Sequence, residues 1–175
     1  MTKGAAITTG DRWSRTPVYW AAKTQSKWSL EILTILAEST RKRPRWDRRT
    51  SPRRPLHCTV LELVNDGDRF GISPLHVAAR NKHKSAPDLV LWLVQRGARV
   101  TTRDQWGRTP LHCAADNQSK VALEITAILL DRGARLQDKD REGLTPIDYA
   151  SLNPSKYGKE LVLVLSDHHP VSTSP

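Results

Sequence analysis

Two histidine–cysteine pairs stand out among the residues that could do chemistry: His57-Cys58 and His112-Cys113. Imidazole and thiolate are common zinc ligands, and a thiol beside an imidazole is the usual pairing of a cysteine nucleophile. Both chemistries need convergence. Zinc takes four ligands in a tetrahedron, and a nucleophile needs a base oriented by a third group. Nothing in the sequence arranges those partners. Nor is there a glycine-rich phosphate loop, a Ser-His-Asp order or a pair of catalytic carboxylates. The sequence predicts no enzyme, no cofactor and no metal centre.

A second chemistry is electrostatic. The 175 residues carry a formal charge of +10. Much of it sits in residues 41–55, with Arg41, Lys42, Arg43, Arg45, Arg48, Arg49, Arg53 and Arg54 against one acid, Asp47. Like charges extend such a segment, and Pro44, Pro52 and Pro55 deny it a regular helix. It reads as a basic loop at the edge of the fold. Three roles stay open for it. It is a nuclear localisation signal, built on the compact cluster 41–45. It contacts phosphates of nucleic acid or an acidic partner, with Trp46 stacking on a base. Or it is an idle solvated insertion. Ser51-Pro52 adds a candidate proline-directed phosphorylation site, where a phosphate would cancel part of the local charge.

Bulk properties narrow the class further. The two cysteines, Cys58 and Cys113, cannot form a disulfide framework, which suits a reducing compartment. The opening MTKGAAITTG lacks the apolar core of a signal peptide, and no apolar run approaches the ~18 residues of a membrane helix. A soluble intracellular protein is expected, cytoplasmic or nuclear and monomeric.

The elements that must position these residues come from repetition. Residues 16–27 read TPVYWAAKTQSK, and residues 109–120 read TPLHCAADNQSK. Four Ser/Thr-Pro anchors recur: Thr16-Pro17, Ser73-Pro74, Thr109-Pro110 and Thr145-Pro146. Their spacings are 57, 36 and 36. Five residues before each anchor is an aspartate: Asp11, Asp68, Asp104, Asp140. Two before are Ser14, Gly71, Gly107 and Gly143. Five after is alanine, fifteen after an acid (Glu31, Asp88, Glu124, Glu160), and twenty after leucine.

Each landmark has a physical reason. Asp-x-x-Gly is a turn in which glycine takes positive φ without steric cost. Thr/Ser-Pro is a helix N-cap followed by proline at the first helical position. Small alanine pairs let two helices approach. A second helix starts near offset +12, with its acid facing the positive dipole end. Its predicted core face is Ile32, Ile35, Leu36; Leu89, Trp92, Leu93; Ile125, Ile128, Leu129; and Leu161, Val164, Leu165. Gly97-Ala98 and Gly133-Ala134 close the two central units.

SPLHVAA (73–79) and TPLHCAA (109–115) within this pattern resemble the ankyrin repeat. The resemblance implies an all-α solenoid of stacked helix-loop-helix units with short β-turn fingers. The expected layout is a flexible start (1–8), unit 1 as N-terminal cap (9–40), the basic segment (41–65), units 2 (66–102) and 3 (103–137), unit 4 as C-terminal cap (138–169) and a tail (170–175). The extra length per unit falls in the loop between its helices. The segment PLHC (55–58) followed by TVLELVNDG reads either as a truncated repeat or as an insertion with a short packed helix.

The resemblance also implies function. The histidine of the motif braces the neighbouring turn and the next residue packs between helices, a structural role for His112-Cys113. Finger tips and inner helices grip a protein partner. At the tips stand Trp13, Phe70 and Trp106, beside Arg12, Arg15, Arg69, Arg108 and Arg141. On the inner helices the partner-facing positions are Lys23, Thr24, Arg80, Asn81, Asp116 and Asn117. The expected activity is an adaptor, scaffold or inhibitor that binds a partly acidic, partly apolar protein surface. The plainer alternative is that the aromatics only pack on the next finger.

Overall fold

The computed structural model describes residues 10–26, 28–41 and 63–167. Among these lie eight α-helices and no strand. They form four pairs: α1 (Pro17–Lys23) with α2 (Ser29–Arg41), α3 (Pro74–Arg80) with α4 (Ala86–Gln95), α5 (Pro110–Ala115) with α6 (Val121–Asp131), and α7 (Pro146–Leu152) with α8 (Gly158–Asp167). The short helices α1, α3, α5 and α7 stack into an inner row. The helices α2, α4, α6 and α8 form the outer row. The fold is an all-α repeat solenoid.

The anchors work as helix starts. Thr16, Ser73, Thr109 and Thr145 are extended N-caps, each with proline at the start of the helix. The finger aspartates explain themselves as well. Oδ1 of each accepts two backbone N–H groups of its own turn: Trp13 and Arg15 on Asp11, Phe70 and Ile72 on Asp68, Trp106 and Arg108 on Asp104, Glu142 and Leu144 on Asp140, all between 2.9 and 3.1 Å. The turn then needs positive φ two residues before the anchor. Gly107 supplies it at +82°, and a Cβ there would lie 3.0 Å from the backbone nitrogen of Arg141 in the next finger.

Stacking is written in three rows of hydrogen bonds. In the finger row, backbone N–H groups of Arg69, Gln105 and Arg141 donate to the carbonyls of Trp13, Phe70 and Trp106 at 2.8–2.9 Å. In the second row, His76 and His112 act as struts. Nδ1 of His76 accepts the Ser73 N–H (3.2 Å), so Nε2 carries the proton and donates to the Arg108 carbonyl (2.9 Å). His112 repeats this with the Thr109 N–H (3.1 Å) and the Leu144 carbonyl (3.1 Å). The third row was not anticipated. The amides of Asn81, Asn117 and Asn153 each donate to two carbonyls of the preceding unit: Ala22 and Thr24, Ala79 and Asn81, Ala115 and Asn117. Their Oδ1 atoms accept the N–H of His83, Ser119 and Ser155 in their own loops.

The core lies between the helix rows. Ala21-Ala22, Ala78-Ala79 and Ala114-Ala115 are buried between inner helices, and Leu93, Leu129 and Leu165 are buried along the outer ones. The first outer helix departs from the expected face. Ile32 and Ile35 are exposed, at 41% and 59%, while Ser29 and Leu33 are fully buried. The helix is set by its small residue at offset +13, which the other units share as Ala86, Ala122 and Gly158, all buried. Leu63 and Val64, just ahead of the second finger, are also fully buried. Asn65 ties that segment to the next unit, donating to the Gly97 carbonyl (2.9 Å) and accepting the Arg99 N–H (2.9 Å).

Candidate functional site

The finger row fixes where the aromatic tips stand. Each tip residue is clamped through its own carbonyl, so its side chain projects from a braced turn. Trp13 and Phe70 are half-buried and Trp106 is 43% exposed. Phe70 and Trp106 stack across adjacent fingers, with ring centroids 6.2 Å apart. Packing on the next finger therefore accounts for part of the contact of these two rings, and each ring also carries a cation.

The guanidinium of Arg12 lies 3.7 Å from the Trp13 ring centroid, and that of Arg69 lies 4.5 Å from Phe70. Arg108 lies 4.6 Å from Trp106. Arg15 sits between two rings, 4.4 Å from Trp13 and 4.2 Å from Trp20. Lys23 follows, its Nζ 5.1 Å from Trp20. Such contacts fix both ring and cation at about 0.5–1 kcal/mol each where exposed. The result is an aromatic–cation edge in two runs, Arg12-Trp13-Arg15-Trp20-Lys23 from the first finger onto the first inner helix and Arg69-Phe70-Trp106-Arg108 across the next two fingers, joined through the Arg69–Trp13 backbone bond. Trp20, 41% exposed, belongs to it and was not singled out from the sequence.

Two of the arginines serve the fold as well. Arg15 pairs with Asp11 through Nη2 (2.6 Å) and Nε (2.8 Å), and Arg108 pairs with Asp104 in the same way (2.8 and 2.9 Å). The Arg15 hydrogen bond holds the Asp11 carboxyl down at about 2. Arg80 and Asp116 face each other at 3.3 Å with both side chains about half exposed. Arg141 is exposed and its backbone joins the finger row. Thr24 is exposed and its hydroxyl donates to the Trp20 carbonyl (2.8 Å).

Asn81 and Asn117 are a correction. They are 4% and 3% exposed and spend their amides on the neighbouring unit, so they act as stacking brackets, with Asn81 also at the wall of the groove between inner helices and fingers. A loop asparagine reads as exposed because its carbonyl partners lie a whole repeat away in sequence.

Of the basic cluster, only the backbone of Arg41, the last residue of α2, is described. Lys42, Arg43, Arg45, Arg48, Arg49, Arg53, Arg54 and Ser51 lie outside the described residues, as do His57 and Cys58. Cys113 is buried, and burial pushes its thiol up to about 12, which removes its nucleophilic form at neutral pH. Burial lowers the pKa of His76 and His112, partly offset by their carbonyl partners, and keeps both neutral. Among the described residues no group of three or more His, Cys, Asp or Glu could hold a metal ion, and no helix is long and apolar enough to cross a membrane.

Between the inner helices and the fingers opens a groove of about 280 Å³. Tyr19, Ile72, Val77 and the Cys113 side chain form its apolar part, Lys23, Arg80 and Arg108 contribute its cations, and Gln25, Asn81 and Asp104 complete the lining. It continues inward from the aromatic–cation edge at Lys23.

A family profile described as ankyrin repeats (3 copies) matches residues 52–140 and, overlapping, 75–173. The chain belongs to the ankyrin-repeat family, whose arrays are generally non-enzymatic protein–protein interaction modules. The helix pair α1–α2 lies outside both matched ranges, and the first match begins within the segment between α2 and Leu63. No curated protein matches the chain.

Proposed function

We propose that this chain is an adaptor, scaffold or inhibitor that binds a partly acidic, partly apolar protein surface through its finger tips and inner helices. The observation that carries the reading is the aromatic–cation edge of Arg12, Trp13, Arg15, Trp20 and Lys23, continued by Arg69, Phe70, Trp106 and Arg108. Tryptophan and arginine dominate binding hot spots because they bury much area and keep a polar handle. Rings held flat against cations lose little side-chain freedom on binding, so the edge is preorganised. The formal charge of +10 adds long-range attraction for acidic surfaces. The pair α1–α2 counts as a fourth unit in this reading. Its support is that it joins the stack by the same finger bond and the same asparagine bracket as the matched units.

A pull-down from nuclease-treated lysate tests this. Wild type is compared with a Trp13/Phe70/Trp106→Ala variant and with a variant whose eight basic residues between 41 and 54 become Gln. A protein partner retained by the loop variant and lost by the finger variant supports the reading. Retention by the finger variant and loss with the loop variant would overturn it.

A further inference from the structure

We infer that the groove beside the aromatic edge seats one acidic side chain of the partner, together with the bulky apolar side chain next to it. This rests on the interaction-module reading and gives it a register. The volume of about 280 Å³ lies just below the ~300–1,000 Å³ typical of small-molecule sites, and fits a short stretch of side chains better than a cofactor.

The charges of the lining decide the polarity of the guest. Lys23, Arg80 and Arg108 stand against a single carboxylate, Asp104. That carboxylate is already saturated by the Trp106 and Arg108 N–H groups and the Arg108 guanidinium. Lys23 has a tryptophan ring and no carboxylate partner among the described residues. Among the described residues Arg80 is held by the long, half-exposed contact to Asp116, which contributes little and exchanges readily. Two cations therefore retain donors for an incoming carboxylate. The remaining walls are Tyr19, Ile72, Val77 and the neutral Cys113 thiol, which suit an apolar neighbour, together with the uncharged amides of Gln25 and Asn81, the latter spent on the Ala22 and Thr24 carbonyls. Discrimination against an amide guest follows from charge: Lys23 and Arg80 can donate to an amide oxygen as well, but only a carboxylate adds the attraction of opposite charges.

The test is an NMR titration of the ¹⁵N-labelled full chain with a capped octapeptide of alternating glutamate and leucine. Control probes replace glutamate by glutamine, or leucine by serine, and an oligo-dT of similar charge represents nucleic acid. The groove predicts saturable shifts at the amides of Ile72, Val77 and Cys113. It predicts binding about tenfold weaker for each control peptide, and about tenfold weaker to a Lys23→Gln/Arg80→Gln variant. Both substituted side chains are exposed, so an unchanged melting temperature certifies that the variant is folded. Equal binding of the glutamine peptide, or no response to any peptide, overturns the groove. Shifts confined to Trp13, Phe70 and Trp106 overturn the groove and leave the interaction module standing. A response to oligo-dT alone overturns both.

Discussion

Asn117→Ala isolates what holds one unit to the next. The wild-type amide donates to the Ala79 and Asn81 carbonyls at 3.0 and 3.1 Å, and its Oδ1 accepts the Ser119 N–H at 3.1 Å. Alanine leaves two buried carbonyls, one loop N–H and the Ser119 hydroxyl without their partners. An unpaired buried group costs about 1–3 kcal/mol, and water at the partly exposed Ser119 recovers some of it. The expected loss is about 2–4 kcal/mol, against a total stability on the order of 5–15 kcal/mol. Asn117→Asp sharpens the argument. It keeps the acceptor for Ser119 but turns a carboxylate oxygen towards two carbonyl oxygens. Its loss at neutral pH should equal or exceed that of alanine and shrink as the new acid protonates. Urea unfolding followed by far-UV circular dichroism reads both, with the midpoint shifted and the slope unchanged. Losses below about 0.5 kcal/mol in both variants would refute the bracket and return Asn117 to the exposed surface.

Other expectations follow from single features. Gly107→Ala should cost clearly more than Gly97→Ala: both glycines sit at positive φ, where an L-residue pays about 1–2 kcal/mol, but only at Gly107 does the new Cβ meet backbone, while Gly97 has nothing within 4 Å. Thermal melts of the two variants decide it, and equal losses would remove the finger contact from the account. Acidification should weaken the array in two stages. His76 and His112 have folded pKa values below the ordinary 6.5, so the unfolded chain takes up protons first and stability falls as pH drops below about 6.5. Asp11, held at about 2 against 3.8, adds a second loss below about pH 4. Histidine titration by NMR alongside stability at each pH checks both stages, and a flat profile between pH 7 and 5 contradicts the struts. Leu129→Ala, fully buried between helix rows, should cost about 2–5 kcal/mol by equilibrium unfolding.

The parts of the fold legible in the sequence were those whose partners lie nearby in the chain. An aspartate five residues before the anchor closes its own turn, and glycine at offset −2 meets a local φ requirement. The histidine struts became legible through the family resemblance. The asparagine brackets were present as a column at offset +8, in Asn81, Asn117 and Asn153, yet their acceptors lie 36 to 59 residues away. Local pattern cannot tell such a residue from an exposed one. The face of α2 was misplaced because Ile32 and Ile35 fit a consensus column while the small residue Ser29 sets the helix rotation. Trp20 escaped for the opposite reason. Its column holds Val77, Cys113 and Tyr149 in the other units, so aligning the repeats hides a side chain that only the first unit presents.

Site-specific photo-crosslinking locates the partner-binding face of the array. A benzophenone amino acid replaces Trp106 at a finger tip in one variant and Glu124 on the exposed side of α6 in another. Each is irradiated in lysate. A discrete crosslinked protein is expected from position 106, competed by unlabelled wild type, and none from position 124. A competed crosslink from 124 with none from 106 would place the partner on the outer helices and rule out the finger tips as the binding face.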